Sequence, residues 1–454
     1  MHKVRNASIL IAITLIAVLI FVSFISGVEK TARISTKSSG AQVTDNASAD
    51  ASITYRGDYV AFESLSETLV TDTNNAMDIF KKDVKKGTMT RVSTNTAGTQ
   101  VNGASMNPAI SGSSGRFVAF QSDATNLISV DANSKTDIFR KDTSSAGTTI
   151  LISANTTGVS ANGNSANPSI TGGGSITAYE SDATDLIAAG TDTNNKTDIF
   201  VRGTSTSRIS TGSSGTESNN DSNNPSIAAI NGRYVAFEST ATNLITPPGT
   251  ATKDIYRKDT SSAGTTILIS ADTAGGAADG ASSKASISGE GRYVAFQSDA
   301  TDLITSGTDT NNKTDIFVKD TVSNTTTRVS LSSSGAQATG ASTNPSISTD
   351  GRHVAFESAA TDLVTGDANG AVSDIFIKDT VSGTITRLST NTSEVQSNAA
   401  ANNASTSRYG QYVAYDSTAT NLVSGDTNAL QDVFLATVDV KKPSAPKVTS
   451  KTHK

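Results

Sequence analysis

A five-residue motif recurs seven times along the chain at an almost constant spacing. Its copies begin at residues 60, 118, 177, 235, 294, 354 and 413, and the first reads Val60-Ala-Phe-Glu-Ser64. Successive copies lie 58 to 60 residues apart. A fixed period of this size is typical of repeat architectures, in which neighbouring repeats complete each other's core. The 454 residues, which could form two or three domains, therefore predict one domain of seven units.

Each repeat contains four short β-rich segments. In the sixth repeat they are residues 345–348, 352–358, 374–378 and 384–389, separated by clusters of Gly, Asn, Asp and Ser. Runs of this kind are typical of antiparallel hairpins, and Asp350-Gly351 is a strong tight-turn signal. Four strands in each of seven units, without helical patterning, predict an all-β fold: a single seven-bladed β-propeller of four-stranded antiparallel blades.

The last repeat lacks its fourth strand, and a matching fragment stands at the other end of the chain. Repeat seven ends at residues 432–438, whereas Thr31-Ala-Arg-Ile-Ser35 precedes the first complete unit. We expect the N-terminal strand to complete the last blade and close the ring, because closure removes an exposed sheet edge. The propeller is predicted to span residues 31–439.

The repeat resembles the WD40-like (PD40) repeat of TolB-type β-propellers. The matching residues are Ser-Thr-Asp-Gly-Arg-His-Val-Ala-Phe-Glu-Ser at 348–358, Asp-Ile-Phe-Ile-Lys-Asp at 374–379 and Thr-Arg-Leu-Ser at 386–389. The resemblance implies the propeller fold over residues 31–439. TolB proteins carry a separate α/β domain, and prolyl-oligopeptidase-type peptidases need an α/β-hydrolase domain. Neither is expected here, so the resemblance implies no Tol–Pal role and no peptidase activity.

The two ends of the chain differ from the repeats. His2, Lys3 and Arg5 precede an uncharged, largely apolar run over residues 7–28, so residues 1–30 are predicted to be a signal peptide or a signal-anchor transmembrane helix. Cleavage after Gly27 would give a secreted protein, and a retained anchor would leave the propeller outside the cytoplasm. Residues 440–454 contain five Lys and no acidic residue, which predicts a basic disordered tail.

Composition excludes several classes of site. The chain has no Cys and no Trp, and only one of its three His, His353, lies within the repeats. Thiolate and multi-His metal sites are therefore excluded. Residues 31–439 carry 28 basic and 41 acidic groups, a net charge of about −13, which argues against binding to nucleic acid or to an anionic membrane surface. Membrane contact is expected only through residues 7–28, and the propeller is predicted to be monomeric.

An Asp-x-Asn-x-x-x-Asp pattern precedes the third strand of five repeats. Its oxygen-bearing side chains partly match the spacing of a Ca²⁺ loop, although they also suit an Asx turn that leads into the strand. The candidate ligands are Asp72, Asn74, Asp78, Asp131, Asn133, Asp137, Asp192, Asn194, Asp198, Asp309, Asn311, Asp315, Asp426, Asn428 and Asp432. Repeat six has the same residues stretched by one position, at Asp367, Asn369 and Asp374, and repeat four lacks the pattern. No cofactor is expected to be required.

Two further repeated features bear on function. The fourth motif position is acidic or amide in every copy and is predicted either to form a ring near one face or to bond to neighbouring strand ends: Glu63, Gln121, Glu180, Glu238, Gln297, Glu357 and Asp416. The long loops between strands 2 and 3 and between strands 4 and 1 should emerge together on one face, where binding residues usually lie. Tyr55 and Tyr409 are the aromatics of the propeller without a repeat position.

These observations favour an extracytoplasmic protein- or glycan-binding scaffold at the cell envelope. No Ser-His-Asp, phosphate-loop, zinc or dinucleotide motif is present. Two alternatives stay open: an envelope polysaccharide lyase or hydrolase that uses channel carboxylates, and a structural spacer in a surface layer. Whether the protein is an enzyme is left open, with binding favoured over catalysis.

Overall fold

Seven small sheets form the whole of the described molecule. The computed structural model describes residues 28–439, apart from 130, 132, 146, 262–263 and 306–308. Within these residues 28 β-strands form seven four-stranded antiparallel sheets, and no helix occurs. The predicted all-β, seven-bladed propeller is thereby confirmed. The described part of the chain has no helix with the length and hydropathy that a membrane crossing requires.

Strands follow the same order in six blades. Blade 1 contains β2 (Ser48–Ile53), β3 (Tyr59–Ser64), β4 (Asp78–Asp83) and β5 (Met89–Arg91); blade 2 contains β6 (Ser105–Ile110), β7 (Phe117–Ser122), β8 (Asp137–Asp142) and β9 (Thr149–Leu151); blade 3 contains β10 (Ser165–Ile170), β11 (Thr177–Ser181), β12 (Asp198–Arg202) and β13 (Thr206–Arg208). Blade 4 contains β14 (Ser222–Ile227), β15 (Tyr234–Ser239), β16 (Asp254–Asp259) and β17 (Thr266–Leu268); blade 5 contains β18 (Ser282–Ile287), β19 (Tyr293–Ser298), β20 (Asp315–Asp320) and β21 (Thr325–Arg328); blade 6 contains β22 (Ser342–Ile347), β23 (His353–Ser358), β24 (Asp374–Asp379) and β25 (Ile385–Arg387).

Blade 7 joins the two ends of the propeller. It contains β26 (Ala401–Thr406), β27 (Tyr412–Ser417), β28 (Asp432–Val438) and, as its outermost strand, β1 (Val28–Arg33). Val28 lies opposite Val438, and Arg33 lies opposite Phe434. The predicted closure by the N-terminal strand is confirmed. The strand begins at Val28, so residues 28–30 belong to the sheet rather than to the predicted N-terminal segment. Residues 1–27 and 440–454 lie outside the described residues, and with them the rest of the predicted signal or anchor segment and the basic tail.

The core consists of stacked aromatic pairs between the second and third strands of every blade. Phe62 lies opposite Phe80 in blade 1, with ring centroids 6.1 Å apart. The seven equivalent pairs have centroid separations of 5.9–6.2 Å, and every ring is fully buried. Ala414 and Leu435 of blade 7 pack into the same cluster as the blade 1 pair. The repeated aromatics therefore fill each blade and also the junction with its neighbour, which gives the inner strands a rigid frame.

Candidate functional site in the central channel

A polar cavity of about 380 Å³ lies on the propeller axis, where the innermost strands of all seven blades converge. Each inner strand is interrupted by a β-bulge, and the bulge residue has a positive φ of 49–55°. Asn adopts this left-handed conformation at the lowest cost after Gly. The bulge residues are Asp50, Asn107, Asn167, Asn224, Lys284, Asn344 and Asn403. In four blades the bulge residue is the Asn of an Asn-Pro pair, and this pair lines the channel.

The acidic or amide position of the repeated motif links each blade to the next. In every blade its side chain accepts a hydrogen bond from the backbone N–H of the bulge residue in the following blade, as Glu63 does from Asn107. The seven bonds measure 2.6–3.3 Å and close a complete ring, with Asp416 of blade 7 accepting from Asp50 of blade 1. The structure combines the two predicted roles of this position. The seven side chains form a ring, and the ring consists of hydrogen bonds to neighbouring strands.

Five asparagines complete this ring with their side chains. Each Asn donates its Nδ2 to the acid or amide of its own blade, at 2.9–3.0 Å. Asn107 Nδ2 also donates to Asn167 Oδ1 at 2.8 Å, and Asn167 Nδ2 donates to Asn224 Oδ1 at 3.2 Å. The wall of the channel is therefore a girdle of fixed amides that can both donate and accept hydrogen bonds.

The girdle is interrupted in blade 1 by a cluster of three carboxyl groups. Asp50 replaces Asn, so Glu63 of the same blade has a second carboxyl beside it instead of an amide donor. Burial, followed by the neighbouring charges of Asp50 and Asp416, raises the pKa of Glu63 to about 7. Burial also raises the pKa of Asp416 to about 7 and that of Asp50 above its usual range. Carboxyl groups packed this closely hold protons near neutral pH.

The second interruption is Lys284 in blade 5, on the far side of the channel. Its side chain is exposed, in contrast to the half-buried asparagines. Its positive charge acts across the axis on Asp50, whose pKa it lowers against the larger effect of burial. The seven bulge positions thus carry one basic and one acidic residue on opposite walls of the channel, among five asparagines.

One end of the channel is closed by the turns between first and second strands. Backbone hydrogen bonds of 2.7–3.2 Å link the seven turns in a second complete ring, for example from Tyr55 N to Gly112 O. The Tyr55 side chain crosses from blade 1 to blade 4, where its hydroxyl donates to Ala229 O at 3.2 Å. A Cβ at Gly112 or Gly172 would lie within about 2.1 Å of the Tyr55 side chain, so these positions require glycine. The Tyr55 side chain therefore closes this end of the channel.

The opposite face carries the long loops, which are joined to each other from blade to blade. Asn102, before the first strand of blade 2, donates to Thr125 Oγ1 of the next loop at 2.9 Å, and Asn126 donates back to Gln100 O. Equivalent pairs recur, for example Asn162 with Thr184. The rim around this end of the channel is therefore a continuous surface of Asn, Thr and Asp side chains.

Most of the candidate Ca²⁺ loops already hold a positive charge from the chain itself. In five blades an Arg from the fourth strand lies between the two Asp carboxylates, as Arg328 does at 3.0 Å from Asp309 and 3.4 Å from Asp315. The other four are Arg33 with Asp426 and Asp432, Arg91 with Asp72 and Asp78, Arg208 with Asp192 and Asp198, and Arg387 with Asp367 and Asp374. These five guanidinium groups satisfy the charge that Ca²⁺ would otherwise neutralise.

The remaining loop residues are engaged in turns and strand ends. Asn74 Oδ1 accepts from Ala76 N at 2.9 Å, which is the predicted Asx turn. The last Asp of each loop accepts a hydrogen bond from a Ser at the end of the outer strand, in all seven blades. Asp192, Asp198 and Glu217 place ligand atoms within 4.8 Å of one another, a geometry that could hold a metal, but Arg208 contacts all three. Calcium binding stays a prediction. In the loop of Asp131, Asn133 and Asp137, Leu151 stands where the other five loops have their Arg.

Comparison with known proteins supports the fold. No family model matches the chain, and no curated protein matches it. Among solved structures, an oligogalacturonate lyase from Vibrio parahaemolyticus matches with a TM-score of 0.53 and 9% identity, over 90% of this chain and 93% of that chain. An acylaminoacyl peptidase from Pyrococcus horikoshii matches with a TM-score of 0.50 and 11% identity, over 87% of this chain and 51% of that one. A TolB protein from Agrobacterium tumefaciens has a TM-score of 0.38 and 15% identity, over 66% of this chain and 83% of that chain.

Proposed function

We propose that the protein is an extracytoplasmic binding module of the cell envelope, and that its ligand, a protein or a glycan, is held at the central channel. The observation that carries this proposal is the amide girdle with its two charged interruptions, Asp50 and Lys284. Such a wall offers hydrogen bonds to hydroxyl and amide groups and orients a ligand by charge. The other end of the channel is closed by Tyr55, so the ligand approaches from the face of the long loops.

Binding fits the described residues better than nucleophilic catalysis. His353, the one histidine of the propeller, is 3% exposed and packs against Gly410 at a turn, away from the girdle. The seryl hydroxyls that end the second strands are bonded to neighbouring strands, as Ser64 is to Ala47 O. No pairing of nucleophile and base is found in the described part of the channel.

The test compares the protein with a variant whose girdle is made uniform. Asp50→Asn with Lys284→Asn installs the residue that the other five blades carry, so the fold should be retained. Both proteins are sedimented with cell-envelope fragments, untreated or exhaustively digested with protease. We expect the wild type to co-sediment and the double variant to lose most of this binding at unchanged secondary structure. Binding that survives digestion identifies a glycan, and binding lost with digestion identifies a protein. Equal binding by wild type and variant would exclude the channel.

One observation favours a second function, that of a polysaccharide lyase or hydrolase. Glu63 and Asp416, with pKa values raised to about 7, could act as proton donors near neutral pH. Glu63→Gln is a clean probe, because Gln121 and Gln297 occupy the same position and accept the same backbone bond in their blades. Release of reducing ends or unsaturated products from envelope glycans, abolished by Glu63→Gln but retained in Glu180→Gln, would favour the enzyme.

The location outside the cytoplasm is proposed from the sequence of residues 1–27. Cleavage after Gly27 would make Val28, the first residue of β1, the new N-terminus. Intact mass and N-terminal sequencing of protein isolated from the envelope and from the medium test this directly. A cytosolic, unprocessed chain would exclude the proposed location.

A further inference from the structure

A large cavity lies away from the channel, at the outer junction of blades 4 and 5. It has a volume of about 890 Å³ and runs along the outer strand of blade 4 towards residues 324–326 of blade 5. One side is formed by the hairpin of residues 271–275, which connects the two blades. Most of the lining is polar, and Ile267, Leu268 and Ile304 contribute apolar surface.

At other blade junctions the corresponding hairpin packs tightly against the blade that follows it. A lysine of the third strand donates to two consecutive carbonyls of the hairpin that precedes its blade. Lys258 Nζ, for example, bonds to Thr211 O at 3.3 Å and to Gly212 O at 2.9 Å. The equivalent lysines of the other blades are Lys82, Lys141 and Lys378, each bonded to two consecutive carbonyls.

A hydroxyl from the same hairpins caps the outer strand. Ser213 Oγ accepts from Thr266 N at 2.9 Å, directly after the two carbonyls that Lys258 binds. The same bond joins Ser38 to Met89, Thr96 to Thr149 and Ser333 to Ile385. Each of these four junctions therefore contains a tight-turn segment that offers two successive carbonyls and then a Ser or Thr hydroxyl.

Blade 5 lacks both contacts. Lys319 holds the equivalent position and is 5% exposed, but its Nζ donates to Asn324 O of its own blade at 3.1 Å. Thr273, which stands where the other hairpins have the capping hydroxyl, instead donates its N–H to Asp302 O. No described residue supplies a hydroxyl to the N–H of Thr326, the residue paired with Lys319. Two donors thus line one cavity without the acceptors that their counterparts have.

Cavities at two other junctions do not share this feature. The cavity of about 520 Å³ between blades 5 and 6 is lined by Lys378, which keeps both of its hairpin carbonyls. The cavity of about 500 Å³ at blade 3 is lined by Arg202, which keeps its bond to Ala154 O. Asp272, the acidic residue of the blade 4–5 cavity, is turned into its own hairpin, where it accepts from Ala274 N and Gly276 N.

We propose that the cavity between blades 4 and 5 binds a tight-turn segment of a partner protein. The segment places two consecutive backbone carbonyls on Lys319 Nζ and a Ser or Thr hydroxyl on Thr326 N–H, as the chain's own hairpins do at the four junctions above. Two main-chain carbonyls of the turn supply affinity, and one hydroxyl side chain supplies selectivity. The side chains of Ile267, Leu268 and Ile304 offer apolar contact to a residue beside this motif. The site is independent of the channel and of the function proposed for it.

The test uses the chain's own hairpin as the probe. A fluorescent peptide with the sequence of residues 209–217 is titrated with the purified full-length protein, and binding is followed by polarisation. We expect saturable binding that weakens at least tenfold in Lys319→Met. A second peptide with Ala in place of the serine at 213 should bind at least fivefold more weakly to the wild type, which needs no protein variant.

Lys258→Met is the matched control, since Lys258 holds the same position in blade 4 but is already bonded to the hairpin of residues 211–213. It should bind the peptide like the wild type and melt at a lower temperature, whereas Lys319→Met should melt close to the wild type. Absence of saturable binding, equal binding by Lys319→Met, or equal binding of the alanine peptide would each overturn the proposal. Failure here leaves the channel untouched, because envelope binding is measured with different variants.

Discussion

Replacement of Asp50 by Asn should stabilise the propeller in a way that depends on pH. Asn is the residue of five other blades at this position, and it suits the φ of 49° better than Asp. Its amide would donate to Glu63 as the other asparagines donate to their own blades. It would also remove one of the three carboxyl charges that raise the pKa of Glu63 and Asp416.

The size of the effect follows from the shifted pKa values. An increase in the pKa of Glu63 from 4.5 to about 7 corresponds to about 3 kcal/mol against its ionisation. Burial causes the larger part and Asp416 contributes as well, so the charge of Asp50 accounts for at most about 1 kcal/mol at a pH where Glu63 is ionised. At low pH the Asn amide only replaces the hydrogen bond that Asp50 and Glu63 already share, whereas at a pH where Glu63 is ionised its donation adds about 1 kcal/mol.

The sign follows from proton linkage. A carboxyl whose pKa is raised in the folded state binds more protons there than in the unfolded chain, so stability falls as pH rises from about 4.5 to about 7. Asp50→Asn lowers the folded pKa of Glu63 and Asp416 and thereby reduces this loss. We expect the free energy of unfolding to change little at pH 5 and to increase by about 2 kcal/mol at pH 8.

Denaturant unfolding at pH 5, 6.5 and 8 measures this difference. Glu180→Gln serves as the control, because Glu180 faces the asparagines Asn167 and Asn224 rather than other carboxyl groups. A gain from Asp50→Asn that is the same at all three pH values would refute the role assigned to the carboxyl cluster. A loss of stability at pH 8 would refute the geometry of the girdle itself.

Three further changes test other parts of the structure. Arg91→Leu leaves two buried aspartates without their cation and should cost about 3–5 kcal/mol in urea unfolding, whereas Leu151→Arg should stabilise blade 2; equal effects in both would contradict the ion-pair interpretation. Tyr55→Phe removes the hydroxyl that reaches Ala229 O and should cost about 1 kcal/mol, while Tyr55→Gly should also open the channel end to small spin-label quenchers. Deletion of residues 28–33 removes β1 and should lower the melting temperature or cause aggregation, and an unchanged, soluble protein would refute closure by this strand.

The repeat period made the fold accessible from the sequence, because each strand could be checked against six other copies. The missing fourth strand of the last repeat and the surplus strand at residues 31–35 likewise identified the closure. The first residue of that strand was harder to predict. Val28 ends an apolar run that is typical of a signal or anchor segment, and only its pairing with Val438 shows that it belongs to the sheet.

The site was harder to recognise, because its signal is a departure from the repeat rather than the repeat itself. Aligning the seven Asn positions would have identified Asp50 and Lys284 as the exceptions. The role of Tyr55 depends on a contact between blades 1 and 4, for which the sequence holds no local pattern. In blades 1, 3, 5 and 6 the arginines that lie between the candidate calcium ligands stand on the outer strand, 16 to 20 residues after the first Asp of each loop. Loop spacing alone could therefore not reveal them.

Pairing of β1 with β28 also sets the order of events during synthesis. Val28 emerges from the ribosome about 400 residues before Val438, its partner, so blade 7 cannot form until nearly the whole chain has been made. Closing so long a loop costs about 2 kcal/mol more than closing one repeat of about 60 residues. Throughout this interval the first strand must wait unpaired, and a chain exported in linear form would assemble its ring only after its last blade had crossed. Only a complete chain can therefore close the ring. A truncated chain keeps two unpaired strand edges, which quality-control proteases and chaperones can recognise.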